Sequence, residues 1–143
     1  MKTLRLEAYY PVDADRLFAL ASDLDALEAV TRPWIQFDHL PSGQVKTGQV
    51  IDVAVSLLGV FPPQPYRMRV VRCDEVLRLL RSEEEGMGVA RFVHVVTVTP
   101  EGTGAKLVDL IEIDAGWKTW IVWLWARFLY GRRHKKRLAL LGL

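Results

Sequence analysis

The sequence holds one cysteine, Cys73, so no disulfide can form within the chain, which fits a reducing compartment. It carries little net charge: +2 over 143 residues is too small to imply a polyanionic partner. There is no Gly-x-Ser-x-Gly turn, no phosphate-binding glycine loop and no Cys–His spacing of a thiol nucleophile. The three histidines, His39, His94 and His134, are far apart and fall on different elements, which argues against a metal site and leaves no cofactor to expect. The start, Met1 to Glu7, lacks an apolar run of signal-peptide length, and the expectation is a cytoplasmic protein. The most apolar stretch, 120–130, is about half of the ~20 residues a membrane span needs, and Arg127 interrupts it.

What the chain does have is tryptophan, and it is concentrated. Four of the five tryptophans lie between Trp117 and Trp125. No proline interrupts residues 117–141, so the spacing predicts one helix, about 37 Å long at 1.5 Å per residue. Its first half is apolar almost all round. The row Trp117, Trp120, Ile121, Leu124 and Phe128 has the spacing of a core-facing stripe. Such a helix needs a concave partner. Trp123 and Trp125 lie off that row and would pack elsewhere or against a second subunit.

The preceding chain supplies β-structure. Residues 3–10 alternate as a half-buried strand that Pro11 ends. Asp13 is placed to cap a short helix over 15–21, and a second short helix runs from 24 to 30. Six further strands are expected over 34–40, 49–57, 66–73, 76–82, 88–99 and 103–113. Residues 59–65, with three prolines, form an irregular loop between the second and third of these. Glu83-Glu84-Glu85-Gly86 reads as a solvated acidic turn. Asp109 and Glu112 alternate to opposite sides of the last strand and make no carboxylate pair. Cys73 sits at a strand end and reads as structural. Length and continuity fit one domain over 1–143, an α+β chain whose antiparallel sheet twists and curls.

Four stretches carry a resemblance. Asp15-Arg16-Leu17-Phe18 follows the first strand, and Leu27-Glu28-Ala29-Val30-Thr31-Arg32-Pro33-Trp34 closes the second helix. Gly102-Thr103-Gly104-Ala105-Lys106-Leu107-Val108-Asp109 makes the last hairpin, and Tyr130-Gly131-Arg132-Arg133-His134 lies late in the long helix. In order and spacing these resemble the helix-grip fold of the START/SRPBCC superfamily. Its relatives include birch-pollen-allergen-like proteins, lipid-binding START domains and polyketide cyclases. The resemblance implies six to seven curved antiparallel strands, two short helices, and one long C-terminal helix across the concave face.

It also implies a ligand site between sheet and helix. By strand parity the sheet side is Ile51, Val53, Val55, Tyr66, Met68, Phe92, His94 and Val96; from the helix, Trp120, Leu124 and Phe128 close it. Two outcomes stay open: these residues pack a solid core, or they enclose a hydrophobic small molecule or lipid. His94 is the candidate acid or base, with Tyr66 its polar companion; the alternative is a core histidine bonded to its neighbours. Three functions follow in turn: a binding protein; an enzyme of the polyketide cyclase/dehydratase kind; and a peripheral lipid carrier touching anionic membrane through Arg132, Arg133, Lys135 and Lys136. The bland reading of those cations is a solvated helix end that suits the negative end of the helix dipole. No aromatic residue is interleaved among them, so nucleic acid is not an expected partner. Either a monomer or a homodimer is compatible with the pattern.

Overall fold

The computed structural model describes residues 1–143. Its elements are β1 (Lys2–Tyr10), α1 (Ala14–Ala21), α2 (Leu24–Thr31), β2 (Ile35–Asp38), β3 (Val50–Leu57), β4 (Gln64–Asp74), β5 (Leu79–Gly86), β6 (Val89–Glu101), β7 (Gly104–Asp114) and α3 (Thr119–Leu140). A single 3-10 turn, Gly116–Lys118, leads into α3.

All seven strands form one antiparallel sheet in the order β1-β7-β6-β5-β4-β3-β2. Strands β2 to β7 are a meander, each paired with the next. β1 closes the far edge against β7. Because β1 and β2 are opposite edges, the α1–α2 pair carries the chain across the width of the sheet. Asp13 caps α1, accepting from the backbone N–H groups of Asp15 and Arg16 at 3.1 and 3.3 Å. Leu17 and Phe18 of α1 are buried with Val96, Val98 and Leu107 of the sheet.

α3 lies along β1 and β7 and packs on α2. Ala126, Leu129 and Tyr130 are buried against Leu4, Phe92, Ile111 and Ile113. The Trp123 indole N–H donates to the Thr3 carbonyl at 3.0 Å and fastens the helix to the β1 edge. A third cluster, Leu24, Ile51, Val53, Val55 and Met68, lines the other half of the sheet. No helix is long and apolar enough to cross a membrane.

The acidic run is not a turn. β5 begins at Leu79 and extends to Gly86, so Glu83, Glu84 and Glu85 lie within the sheet. The reason is pairing: Glu83 and Glu85 stand opposite Arg69 and Arg67 of β4, and opposite charges across a strand pair stabilise the register. The turn between β5 and β6 falls later, at Met87-Gly88, where both residues have positive φ.

Candidate functional site

The long helix is turned differently from the expected stripe. Trp117 and Trp120 are 77% and 58% exposed, Leu124 is 51% exposed, and Ile121 and Phe128 also reach solvent. The inward row is Thr119, Ala126, Leu129, Tyr130, Arg133 and Arg137. A helix apolar almost all round carries no internal marker of phase, so docking on β1 and the sheet chose it. The exposed aromatics are partly shielded by cations: Lys118 stands over Trp117 and Arg132 over Phe128. The basic run is split by the same rotation. Arg132 and Lys135 are exposed and Lys136 is half-buried, but Arg133 and Arg137 are each only 6% exposed. Arg133 therefore belongs to no surface patch.

Between α3 and the sheet lies a cavity of about 560 Å³, and 25 of its 32 lining residues are hydrophobic. This volume falls in the usual range of small-molecule sites, ~300–1,000 Å³. Ile51, Val55, Tyr66, Met68, Phe92, His94 and Val96 line it. Val53 is buried on the same face but packs within the cluster of β3 rather than on the cavity. Trp120, Leu124 and Phe128 do not line it. In their place the helix presents Ile121, Val122, Trp125, Ala126, Leu129, Tyr130, Arg133 and Arg137. The lining residues that reach solvent, Leu58, Phe61, Met87 and Ile121, mark the open side. Leu58 and Phe61 belong to the loop between β3 and β4.

The polar groups fall into two sets. His94 of β6 and Asp109 of β7 are both buried, with Nε2 and Oδ1 2.7 Å apart. They are not opposite each other: His94 faces Ile111 and Asp109 faces Val96, so the contact is diagonal. Arg137 Nη1 stands 3.8 Å from Asp109 Oδ2 on the other side. Burial raises the pKa of Asp109, but the His94 hydrogen bond and the charges of His94, Arg137 and Arg133 outweigh burial and hold it below the ordinary value. The carboxylate is therefore the acceptor and His94 Nε2–H the donor, which leaves Nδ1 as the imidazole's free acceptor. The Tyr130 ring meets the imidazole edge-on at 4.9 Å.

The second set stands on β4 and β5. The Tyr66 hydroxyl donates to Glu84 Oε1 at 2.8 Å, and Ser82 Oγ donates to Oε2 at 2.9 Å. Burial, then the Glu84 charge, raise the Tyr66 pKa well above its ordinary value, so the hydroxyl stays protonated. Tyr66 thus serves Glu84 rather than His94. No group of three His, Cys, Asp or Glu side chains gathers in metal-binding geometry.

Asp109, Glu84, Arg133 and Arg137 were all missed by strand and helix parity. Asp109 did leave a signal: it occupies the inward position in the run Ala105, Leu107, Asp109, Ile111, Ile113.

Neither a protein-family model nor a curated protein sequence matches the chain. Solved structures do. A Chromobacterium violaceum protein superposes with a TM-score of 0.76 at 17% identity, covering 98% of this chain and 97% of that one. Ara h 8.0201 does so at 0.74 and 16%, covering 99% of each chain. The chain has the helix-grip fold. The di-domain ARO/CYC protein BexL of the BE-7585A biosynthetic pathway shares it at a TM-score of 0.65 and 16% identity, over 95% of this chain and 45% of that one. In this helix-grip chain the sheet and α3 stand apart over the cavity and close on each other at the β1 edge.

Proposed function

We propose that this protein binds a hydrophobic small molecule between its curved sheet and α3. The observation that carries the reading is the open cavity of about 560 Å³, apolar over most of its wall with a few convergent polar groups. The test is native mass spectrometry of the purified protein, with titration of the uncharged dye N-phenyl-1-naphthylamine. One equivalent of dye or of a co-purified compound is expected. A bare mass with no dye uptake sinks the reading.

A second reading, acid–base chemistry on that ligand, is favoured by one observation, the buried His94–Asp109 pair at the cavity wall. The carboxylate fixes the tautomer and would stabilise the imidazolium formed when Nδ1 takes a proton. The ARO/CYC description of BexL fits the same idea. His94→Gln separates the two readings. If His94 turns the ligand over, the compound extracted from the variant differs from that extracted from the unmodified protein. The same compound from both leaves binding alone.

A further inference from the structure

Arg133 is a cation buried without a partner. It is 6% exposed, takes part in no ion pair, and its Nε has no hydrogen-bond acceptor. What holds it is the Tyr130 ring, 3.8 Å from the guanidinium carbon. That face fixes the plane of the fork but supplies no acceptor oxygen. The carboxylates around Arg133 do not pair with it. Glu84, in the cavity wall, accepts from Tyr66 and Ser82; Asp109, behind His94, is held by His94 and Arg137; and Asp23, in the wall at the start of α2, forms no ion pair. A buried charge left in this state costs several kcal/mol unless something pairs with it. No carboxylate of the chain forms an ion pair with it, the Asp109 charge acting on it only at longer range, and Arg133 lines the cavity.

We infer that the ligand is an acidic amphiphile, with one anionic head, a carboxylate in its simplest form, on Arg133 and its apolar body running toward the mouth. The inference rests on the small-molecule reading above and narrows its ligand class. Placement fits. Ile121 marks the open side, and Arg133 is twelve residues further along α3, about 18 Å at 1.5 Å per residue. The head therefore sits at the inner end and the walls between are apolar: Val122, Trp125, Ala126 and Leu129 from the helix, Phe92 and Val96 from the sheet. A guanidinium presents paired donors that match a carboxylate, and the low-polarity surround strengthens such a bond.

The experiment compares dodecanoate with dodecanol, the same chain with an uncharged head, by displacement of N-phenyl-1-naphthylamine. The unmodified protein is expected to prefer the acid about tenfold or more, the scale of a charge-assisted hydrogen bond. Arg133→Met keeps the stem over Tyr130, and is expected to lose the preference for the acid over the alcohol. Arg132→Met, on the exposed side, is expected to keep it. Dye uptake without acid preference, or a preference that survives Arg133→Met, overturns the inference and leaves the cavity reading standing. Failure to take up dye, acid and alcohol alike removes both. Should Arg133→Met not fold, the acid–alcohol comparison on the unmodified protein decides alone.

Discussion

A single buried carboxylate organises the polar end of the cavity. Asp109 accepts from His94 and faces Arg137, and each neighbour is itself nearly dry. Asp109→Ala leaves a buried guanidinium and an imidazole N–H without their acceptor, and is expected to cost roughly 3–5 kcal/mol in urea unfolding. A loss of only a few tenths would mean the pair is not formed in solution. The same group sets an acid limit. Its pKa in the folded protein lies below the value of about 3.9 in an unfolded chain. Its contribution is therefore complete above that value and is lost as the pH falls through it toward the lower folded pKa. Between pH 6 and pH 3 the unmodified protein should lose more stability than Asp109→Asn; equal losses in the two would count against the assignment. His94 was visible from strand parity. Its partner was not, because the sequence compares Asp109 only with neighbours on its own strand, and the contact is a diagonal one between strands.

At the scale of the element, α3 shows how an apolar helix conceals its phase. The stripe through Leu124 and Phe128 and the stripe through Ala126, Leu129 and Tyr130 are both apolar, and the second also carries Arg133 and Arg137. By composition the first is the better core face. The structure buries the second, since Ala126 permits close approach to the sheet and Trp123 ties the helix to β1. The two alternatives give opposite expectations. Leu129→Ala should cost about 2–5 kcal/mol, a core truncation, while Leu124→Ala should stay within about 1 kcal/mol. Thermal or urea unfolding of the two variants decides, and the reverse order would restore the phase read from the sequence. Strand β5 teaches a related lesson. Three consecutive glutamates look like loop charge until two of them face arginines on β4 and the third turns toward Tyr66.

For the molecule as a whole, the sheet and α3 meet along β1 and β7, touch at Phe92 and His94 of β6, and part over β3 to β5. A ligand that fills the space between them should stabilise the folded state by mass action. At a hundredfold excess over its Kd, N-phenyl-1-naphthylamine should add about 2.7 kcal/mol and raise Tm by roughly 5–10 °C. An unchanged Tm at dye concentrations shown to saturate binding would mean that the dye binds the unfolded chain as well as the folded one, and not a cavity that only folding creates.

The sequence by itself determined the seven strands, the three helices and the inward parity of β3, β4 and β6. A strand's faces alternate with a period of two, and one polar-apolar alternation is enough to orient it. Tertiary structure alone decided the rotation of α3, the diagonal His94–Asp109 contact, the burial of Arg133 and the open volume beside it. Each of these depends on two surfaces from distant segments. A nearly all-apolar helix takes its phase from the partner it docks on. A cavity is the difference between two such surfaces, which no local run of residues encodes.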